Sequence, residues 1–270
     1  MANRFLSTLA FFLLAGDVLA ASPVAPETQL DVALVIAVDV SSSMESDEQG
    51  LQREGFIDAF RSSLVHEAIG SGVNGRIAVT YVEWSGVKDQ RVIVPWMVID
   101  SPEKAMSFSN QLSYQPIRQA GMTSISGIID QSRKLFEQLG GAPLRRVVDI
   151  SGDGPNNDGR PVTYARDEAI TNGIIINGLP IMFKRGAGNA EQEDLDLYYR
   201  ECVIGGVGSF VIPLHDPEQF AMIVRTKIMR EIAGIGDTRS LVVPAQSGSM
   251  NCITGERRKQ EDLLSQEKKP

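Results

Sequence analysis

The chain has few residues of the kinds that build soft metal sites or disulfide frameworks. Its 270 residues include two cysteines and two histidines. The cysteines form no CxxC pair, and neither His66 nor His215 has a cluster of metal-binding residues beside it, which argues against thiolate and imidazole zinc sites. In an exported protein an even pair of cysteines tends to close, so Cys202 and Cys252 are predicted to form a disulfide.

An excess of positive charge is also missing. The chain has 26 Lys and Arg residues against 34 Asp and Glu residues, a net charge of -8 and a pI of about 4.9. Binding to a phosphate backbone depends on a basic surface that releases counterions, so nucleic acid is not an expected partner. The hydrophobic share of 43% is typical of a globular protein with a full core.

Long apolar runs are absent except near the start of the chain. Arg4, the apolar run at 5–15 and the small residues around Ala20 match a signal peptide. The run is shorter than the ~20 residues of a membrane span, and no later run replaces it. We therefore expect export to the periplasm or the medium, with no transmembrane anchor after cleavage. The predicted organisation is a signal peptide at 1–20, a linker at 21–29, a domain at 30–236 and an extension at 237–270 with a charged tail from about 255.

Strand and helix patterns alternate along the predicted domain. The β-branched run at 31–40 is typical of a strand covered on both faces. Two β-rich runs at 76–84 and 91–99 predict a hairpin, whose polar loop at 85–90 is expected to lie away from any site. The alternation predicts one doubly wound, mostly parallel α/β sheet with an antiparallel edge strand and helices on both faces. The other predicted strands are 146–151, 173–181 and 209–213, and the predicted helices are 48–67, 102–114, 124–139, 161–172, 191–202 and 216–235.

Oxygen-bearing side chains are concentrated where predicted strands end. Asp39, Ser41 and Ser43 follow the first strand, Asp153 follows the strand at 146–151, and Thr123 precedes a helix. Ligands of open α/β sheets bind at the carboxyl ends of the strands. Hydroxyls and carboxylates without histidine or thiolate suit Mg²⁺, with Mn²⁺ or Ca²⁺ as substitutes. Such a site leaves the cation partly unneutralised, so that it attracts an acidic group from outside.

These motifs resemble a known metal site. D-V-S-S-S at 39–43, G-M-T at 121–123 and D-G at 153–154 are similar to the metal-ion-dependent adhesion site (MIDAS) of von Willebrand factor A domains, over residues 30–235. More narrowly, the chain resembles the bacterial DUF1194 family. The segments that carry this second likeness are V-E-W at 82–84, I-N-G-L-P at 176–180, Y-Y-R at 198–200 and C-V-I-G-G at 202–206.

The resemblance implies a set of ligands and a function. Ser41, Ser43 and Thr123 would supply hydroxyls, and Asp39 and Asp153 would bind directly or through water. The cation would dock an acidic residue of a partner protein, which implies a binding module and not an enzyme. In integrin-like relatives the helix that closes the domain can slide, and the predicted helix at 216–235 is its counterpart.

One departure from the family pattern affects the predicted site. Gly152 stands where the family more often has Thr before the Asp-Gly pair. This places the support of Asp153 in question and makes Asp149 a competing carboxylate.

Other interpretations of the same residues stay open. Ser43 or Ser46 could cap the helix that follows, Thr123 could cap the next one, and Asp153 could only set its turn. Metal-assisted hydrolysis would use Asp39 as nucleophile, or Asp39 and Asp153 as holders of a catalytic metal. A scaffold domain with a non-functional metal site is the third possibility.

Overall fold

The structure of the chain, a computed structural model, describes residues 28–183 and 194–234 and the single positions 25, 251, 252 and 256. The predicted signal peptide, most of the linker and most of the extension with its tail lie outside the described residues.

A five-stranded sheet forms the centre of the fold. Its strands are β1 (Gln29–Asp39), β2 (Ile77–Trp84), β3 (Gln90–Ile99), β4 (Ala142–Gly152) and β5 (Ile174–Pro180). Their order is β3-β2-β1-β4-β5, with β1 parallel to both β2 and β4, β4 parallel to β5, and β3 antiparallel at the edge. The predicted fold class is therefore confirmed. The order changes direction between β1 and β4, which is the switch point where open α/β sheets bind ligands.

Helices cover both faces of the sheet. They are α1 (Ser46–Arg61), α2 (Ser63–Gly70), α3 (Pro102–Ser113), α4 (Ile125–Leu139), α5 (Val162–Thr171), α6 (Leu195–Tyr198) and α7 (Phe220–Ala233). One layer contains α1, α2, α3 and α7, and the other contains α4, α5 and the segment around α6. No described helix has both the length and the apolar character that a membrane span requires.

The burial of β1 explains its apolar run. All its residues after Gln29 are buried, and alternate side chains enter the two opposite cores. Leu34 and Ile36 pack toward the layer of α1 and α7, whereas Val35 and Ala37 pack toward the layer of α4 and α5. A strand with two covered faces has no polar side, so its sequence does not alternate.

Three predicted elements differ from the observed ones. The helix predicted at 48–67 breaks at Ser62, whose ψ of 132° is extended. The strand predicted at 209–213 is only an isolated bridge at Val211, because Gly206 and Gly208 turn the chain with positive φ and Pro213 has no N–H to donate. The described part of the helix predicted at 191–202 is α6 followed by a π-helical turn at Tyr199–Val203.

The closing helix also differs at its start. Pro217–Gln219 form a 3₁₀ turn before α7, and Asp216 caps that turn by accepting from Glu218 N at 2.9 Å. Ile235, the predicted last residue of this helix, lies outside the described residues.

Candidate metal centre

The loop after β1 gathers the first three predicted ligands. Asp39 is fully buried, and its Oδ1 accepts a hydrogen bond from Ser41 N at 2.7 Å. The hydroxyls of Ser41 and Ser43 lie 3.0 Å apart. Ser41 is buried while Ser43 is exposed, so the group of oxygens opens toward solvent on the Ser43 side.

The serines of this loop do not cap helix α1. The N-cap residue is Glu45, whose N–H donates to Glu48 Oε2 at 2.8 Å. Ser46 is already inside the helix. The capping interpretation of Ser43 and Ser46 is therefore wrong, and the hydroxyl of Ser43 is used elsewhere.

Asp153 joins the group from the neighbouring strand. Ser43 Oγ donates to Asp153 Oδ1 at 2.6 Å, a contact between residues 110 positions apart. Because β1 and β4 are adjacent and parallel, their carboxyl ends deliver Asp39 and Asp153 to the same edge. Four predicted ligands are thus connected through Ser41 and Ser43.

Thr123 lies in a loop that is fastened to the loop of Asp153. Its N–H donates to Asn157 Oδ1 at 2.7 Å, and its carbonyl accepts from Asn157 N at 2.8 Å. The cap of α4 is Ser124, whose hydroxyl accepts from Gly127 N at 3.2 Å. The hydroxyl of Thr123 is therefore not needed for capping, although the side chain is only 4% exposed.

The same loop is also fastened to the loop after β1. Gln119 Nε2 donates to Met44 O at 2.7 Å, and Ala120 N donates to Val40 O at 2.8 Å. Three oxygen-bearing loops therefore meet at the switch point of the sheet, each bonded to another by the backbone or by a side chain.

The charge of this group is not balanced within it. Burial, and then the nearby charge of Asp153, raises the pKa of Asp39 well above its usual range. Asp39 Oδ2 is buried and has no hydrogen-bond partner among the described residues. The carboxylates of Asp39 and Asp153 and the hydroxyls of Ser41 and Ser43 form a donor set of oxygens that suits a hard cation.

Asp149, the competing carboxylate, is not part of this group. Lys227 Nζ of α7 lies 2.5 Å from Asp149 Oδ1 and 2.5 Å from Glu231 Oε1. Asn177 Nδ2 of β5 also donates to Glu231 Oε1, at 3.1 Å. Asp149 therefore belongs to a buried network between the sheet and the closing helix.

The loop at 85–90 was expected to lie away from the site, and this expectation is wrong. Ser85 O accepts from Ser124 N at 2.7 Å, and Val87 N donates to Asp158 Oδ2 at 2.7 Å. Since β2 is parallel to β1, with Trp84 paired to Asp39, the hairpin loop leaves the sheet at the same edge as the predicted ligands.

Sequence reasoning missed a buried ion network beside the site. Glu83 at the end of β2 is 1% exposed and is paired with Arg53 of α1. Arg118 Nε lies 3.1 Å from Glu83 Oε2, and Arg118 Nη1 lies 2.8 Å from Asp89 Oδ2. Arg118 thus anchors the loop that leads to Thr123. The sequence signal for this network was V-E-W at 82–84, which has an acidic residue inside an otherwise apolar strand.

A second network comes from the end of the chain. Cys202 and Cys252 form a disulfide. Four positions later, Glu256 Oε1 accepts from the Tyr198 hydroxyl at 2.9 Å and from Val162 N at 3.3 Å. The extension is thereby tied to the start of α5, next to the loop that carries Asp153.

Comparisons with known proteins agree with this architecture. The solved structures that match include a von Willebrand factor type A protein from Catenulispora acidiphila (TM-score 0.50, 14% identity, 75% of this chain and 43% of the other). The pilus adhesin SpaC from Lactobacillus rhamnosus GG matches with a TM-score of 0.56 and 14% identity, over 75% of this chain and 30% of the other. Proximal thread matrix protein 1 from the mussel byssus, in a form with a zinc-occupied MIDAS motif, matches with a TM-score of 0.53 and 17% identity, over 77% of this chain and 49% of the other.

The matches cover less than half of each of these solved chains. At such low identity they show a shared fold. A search of curated proteins found no match. The profile of the family described as "Protein of unknown function (DUF1194)" matches residues 29–236. The chain therefore belongs to the DUF1194 family and has a von Willebrand factor A-like fold.

Proposed function

We propose that the protein is an exported binding module that holds a divalent cation and uses it to dock an acidic group of a partner protein. The observation that carries this proposal is the meeting of Asp39, Ser41, Ser43 and Asp153 at the switch point of the sheet, with Asp39 Oδ2 buried and unpartnered among the described residues. Ser41, Ser43 and Thr123 would supply hydroxyl oxygens, and Asp39 and Asp153 carboxylate oxygens, to Mg²⁺ or a related ion.

The residues present fit such an ion. The donors are all oxygen, which Mg²⁺, Mn²⁺ and Ca²⁺ prefer. When bound, the ion would supply positive charge that two carboxylates and neutral hydroxyls do not fully screen. The exposure of Ser43 leaves this charge accessible to an acidic side chain from outside. Ser41 stands two positions after Asp39, where a second acid would favour phosphoryl transfer, so binding is the better-supported role.

Removal of the Asp39 carboxylate should abolish metal binding. We expect saturable binding of Mg²⁺ and Mn²⁺ to the metal-stripped protein by calorimetric titration. Asp39→Ala should remove it, and Thr123→Ala should weaken it about 10-fold or more, since a ligand or its immediate support is lost. Circular dichroism would check that each variant is folded.

A matched control comes from the same loop. Ser42 is exposed and lies between two proposed ligands, so Ser42→Ala should bind Mn²⁺ like the unsubstituted protein. A protein that binds neither ion would contradict the proposal, as would undiminished binding by Asp39→Ala.

Metal binding should strengthen as the pH rises. Burial and the charge of Asp153 raise the pKa of Asp39, and a ligand carboxyl must lose its proton to bind a cation. A group whose pKa is raised by folding stabilises the metal-free fold at low pH, and this contribution is lost as the pH rises through the folded-state pKa. Added Mg²⁺ should therefore raise the melting temperature more at pH 8 than at pH 5.5. Differential scanning calorimetry would measure both shifts, and equal shifts would refute the linkage.

A further inference from the structure

Two neighbouring asparagines join the loop of Asp153 to the residues around Thr123. Asn156 Oδ1 accepts from the backbone N–H of Ser126 in helix α4 at 3.0 Å. Asn157 Oδ1 accepts from Thr123 N at 2.7 Å. Both asparagines are buried. Because Asp153 lies only three positions before Asn156, these bonds fix where the Asp153 loop lies relative to the loop of Thr123.

The amide group of Asn156 is also held from its nitrogen side. Asn156 Nδ2 donates to Glu256 Oε2 at 3.4 Å and to Arg160 O at 3.2 Å. Carboxylate and carbonyl oxygens only accept hydrogen bonds, so these two groups keep the NH2 end of the amide on their side. The amide oxygen is thereby left facing Ser126 N. The acceptors on one side of Asn156 thus select the orientation in which it bonds to α4.

The carboxylate of Glu256 is an acceptor that three parts of the fold share. Besides Asn156, its Oε1 accepts from the Tyr198 hydroxyl of α6 at 2.9 Å and from the N–H of Val162, the first residue of α5, at 3.3 Å. The Tyr198 oxygen in turn accepts from Asn156 N at 3.2 Å. Glu256 is only 7% exposed. Loss of its carboxylate would take an acceptor from three buried donors, which is costly.

The disulfide keeps Glu256 near these donors. Cys252 stands four positions before Glu256 and is bonded to Cys202 in the π-helical turn after α6. Four residues span at most about 14 Å even when fully extended. Tyr198 lies four positions before Cys202, so both partners of the hydrogen bond are close to the same disulfide. The closed loop therefore lowers the entropy cost of placing the acid.

We propose that Glu256 is a positioning residue for the metal centre, which acts through Asn156 on the loop that carries Asp153. This rests on the proposed metal-binding function. Ser43 Oγ donates to Asp153 Oδ1 at 2.6 Å, so a shift of the Asp153 loop would move one carboxylate away from the oxygens of the loop after β1. The extension after α7 thus takes part in the site, although none of its described residues is a proposed ligand.

The first test measures metal affinity with and without the Glu256 carboxylate. Mn²⁺ would be titrated calorimetrically into the metal-stripped protein and its variants, each checked for folding by circular dichroism. Glu256→Leu keeps the bulk of the side chain and removes both acceptors. It should raise the Kd for Mn²⁺ about 3- to 30-fold, the range for residues that act on a site without touching its ligand. Glu256→Gln keeps one acceptor oxygen, so its Kd should lie between those two values.

A matched control loses hydrogen bonds in the same region. Arg166 Nη1 donates to Glu201 O at 2.8 Å and to Cys202 O at 3.1 Å. These bonds join α5 to the π-helical turn and not to the Asp153 loop. Arg166→Met should therefore loosen the surroundings of the disulfide while leaving the Kd for Mn²⁺ within about twofold, below the range for residues that act on the site.

The second test needs no metal and follows the backbone N–H of Ser126. This residue is the second of α4, so its N–H has no partner within the helix and depends on Asn156 Oδ1. If Glu256 orients Asn156, Glu256→Leu should speed hydrogen exchange at this N–H in the metal-stripped protein, as measured by NMR. Arg166→Met should leave the exchange rate unchanged.

The outcomes separate the inference from the function on which it rests. An unchanged Kd in both Glu256 variants, while the unsubstituted protein binds Mn²⁺, overturns the inference and leaves the proposed function standing. An Arg166→Met variant as weak as Glu256→Leu also overturns it, because the effect would then reflect a general loosening. If the unsubstituted protein binds no Mn²⁺, the proposed function fails, and the exchange rate at Ser126 decides whether Glu256 positions Asn156.

Discussion

Replacement of Lys227 by methionine is expected to lower the free energy of unfolding by about 3–5 kcal/mol, the usual cost of breaking a buried ion pair from one side. The ammonium group lies 2.5 Å from an oxygen of Asp149 and 2.5 Å from an oxygen of Glu231. All three residues are 1% exposed. Methionine has a similar length but no charge, so two acids would stay buried together without a cation. Urea unfolding at pH 8 would measure the loss.

The loss should be smaller at pH 5. Burial and the charge of Asp149 raise the pKa of Glu231 to about 7. A carboxyl whose folded-state pKa is raised stabilises the fold at low pH and loses that contribution as the pH rises through about 7. Without Lys227, Asp149 and Glu231 become neutral only when they are protonated, and low pH favours their protonated forms.

Arg230 on the same helix provides the control. Its guanidinium lies 4.2 Å from the centre of the Phe210 ring and is not part of the ion network, so Arg230→Met should cost at most about 1 kcal/mol. Equal costs for the two substitutions, or a Lys227→Met cost that does not change with pH, would refute the role given to the network.

The network also bears on how the closing helix can move. Besides Lys227, Arg145 Nη2 of β4 donates to Glu231 O at 2.8 Å and to Ile232 O at 2.7 Å. A slide of α7 along the sheet would have to break both sets of contacts. Both come from β4, which ends at Gly152, directly before Asp153. Any change in the position of α7 is thus coupled first to the strand that precedes a proposed ligand.

The sheet, and the loops at its edge that carry Asp39, Ser41, Ser43 and Asp153, could be predicted from local signals. The uninterrupted apolar run of β1 and the polar turn after it predict a central strand that ends in a loop of oxygen-bearing side chains. Asp39 and Asp153 then meet because β1 and β4 are adjacent and parallel, with their carboxyl ends at a common edge. These features depend on spacing along the chain, which sequence shows directly.

Long-range polar partners could not be predicted in the same way. The sequence places Glu83 inside an apolar strand but does not show its partner Arg53. Lys227 looks like an ordinary surface charge in the sequence, yet it is buried against Asp149 of β4. The hairpin loop at 85–90 was expected to lie away from the site because the sequence does not show that β2 is the direct neighbour of β1. The glycine at 152 was interpreted as lost support, whereas the structure places the Tyr199 phenol beside the space it leaves.

Removal of the disulfide is expected to cost about 4 kcal/mol in the free energy of unfolding. Cys202 and Cys252 close a loop with a sequence separation of 50, and a loop of this length strongly restricts the unfolded chain. The bond also holds Glu256 near Tyr198, Val162 and Asn156. The double variant Cys202→Ser/Cys252→Ser should therefore unfold at a lower urea concentration than the unsubstituted protein.

Two further measurements separate the contribution of the closed loop from that of the contacts that Glu256 makes. A reducing agent should lower the stability of the unsubstituted protein to that of the double variant and leave the double variant unchanged. Glu256→Gln keeps the disulfide and removes only the charge that accepts from Tyr198 and Val162, so it should cost a smaller part, about 1–3 kcal/mol, as for a hydrogen bond to a charged group. If Glu256→Gln costs as much as the loss of both cysteines, the acid and not the closed loop holds the extension to the domain.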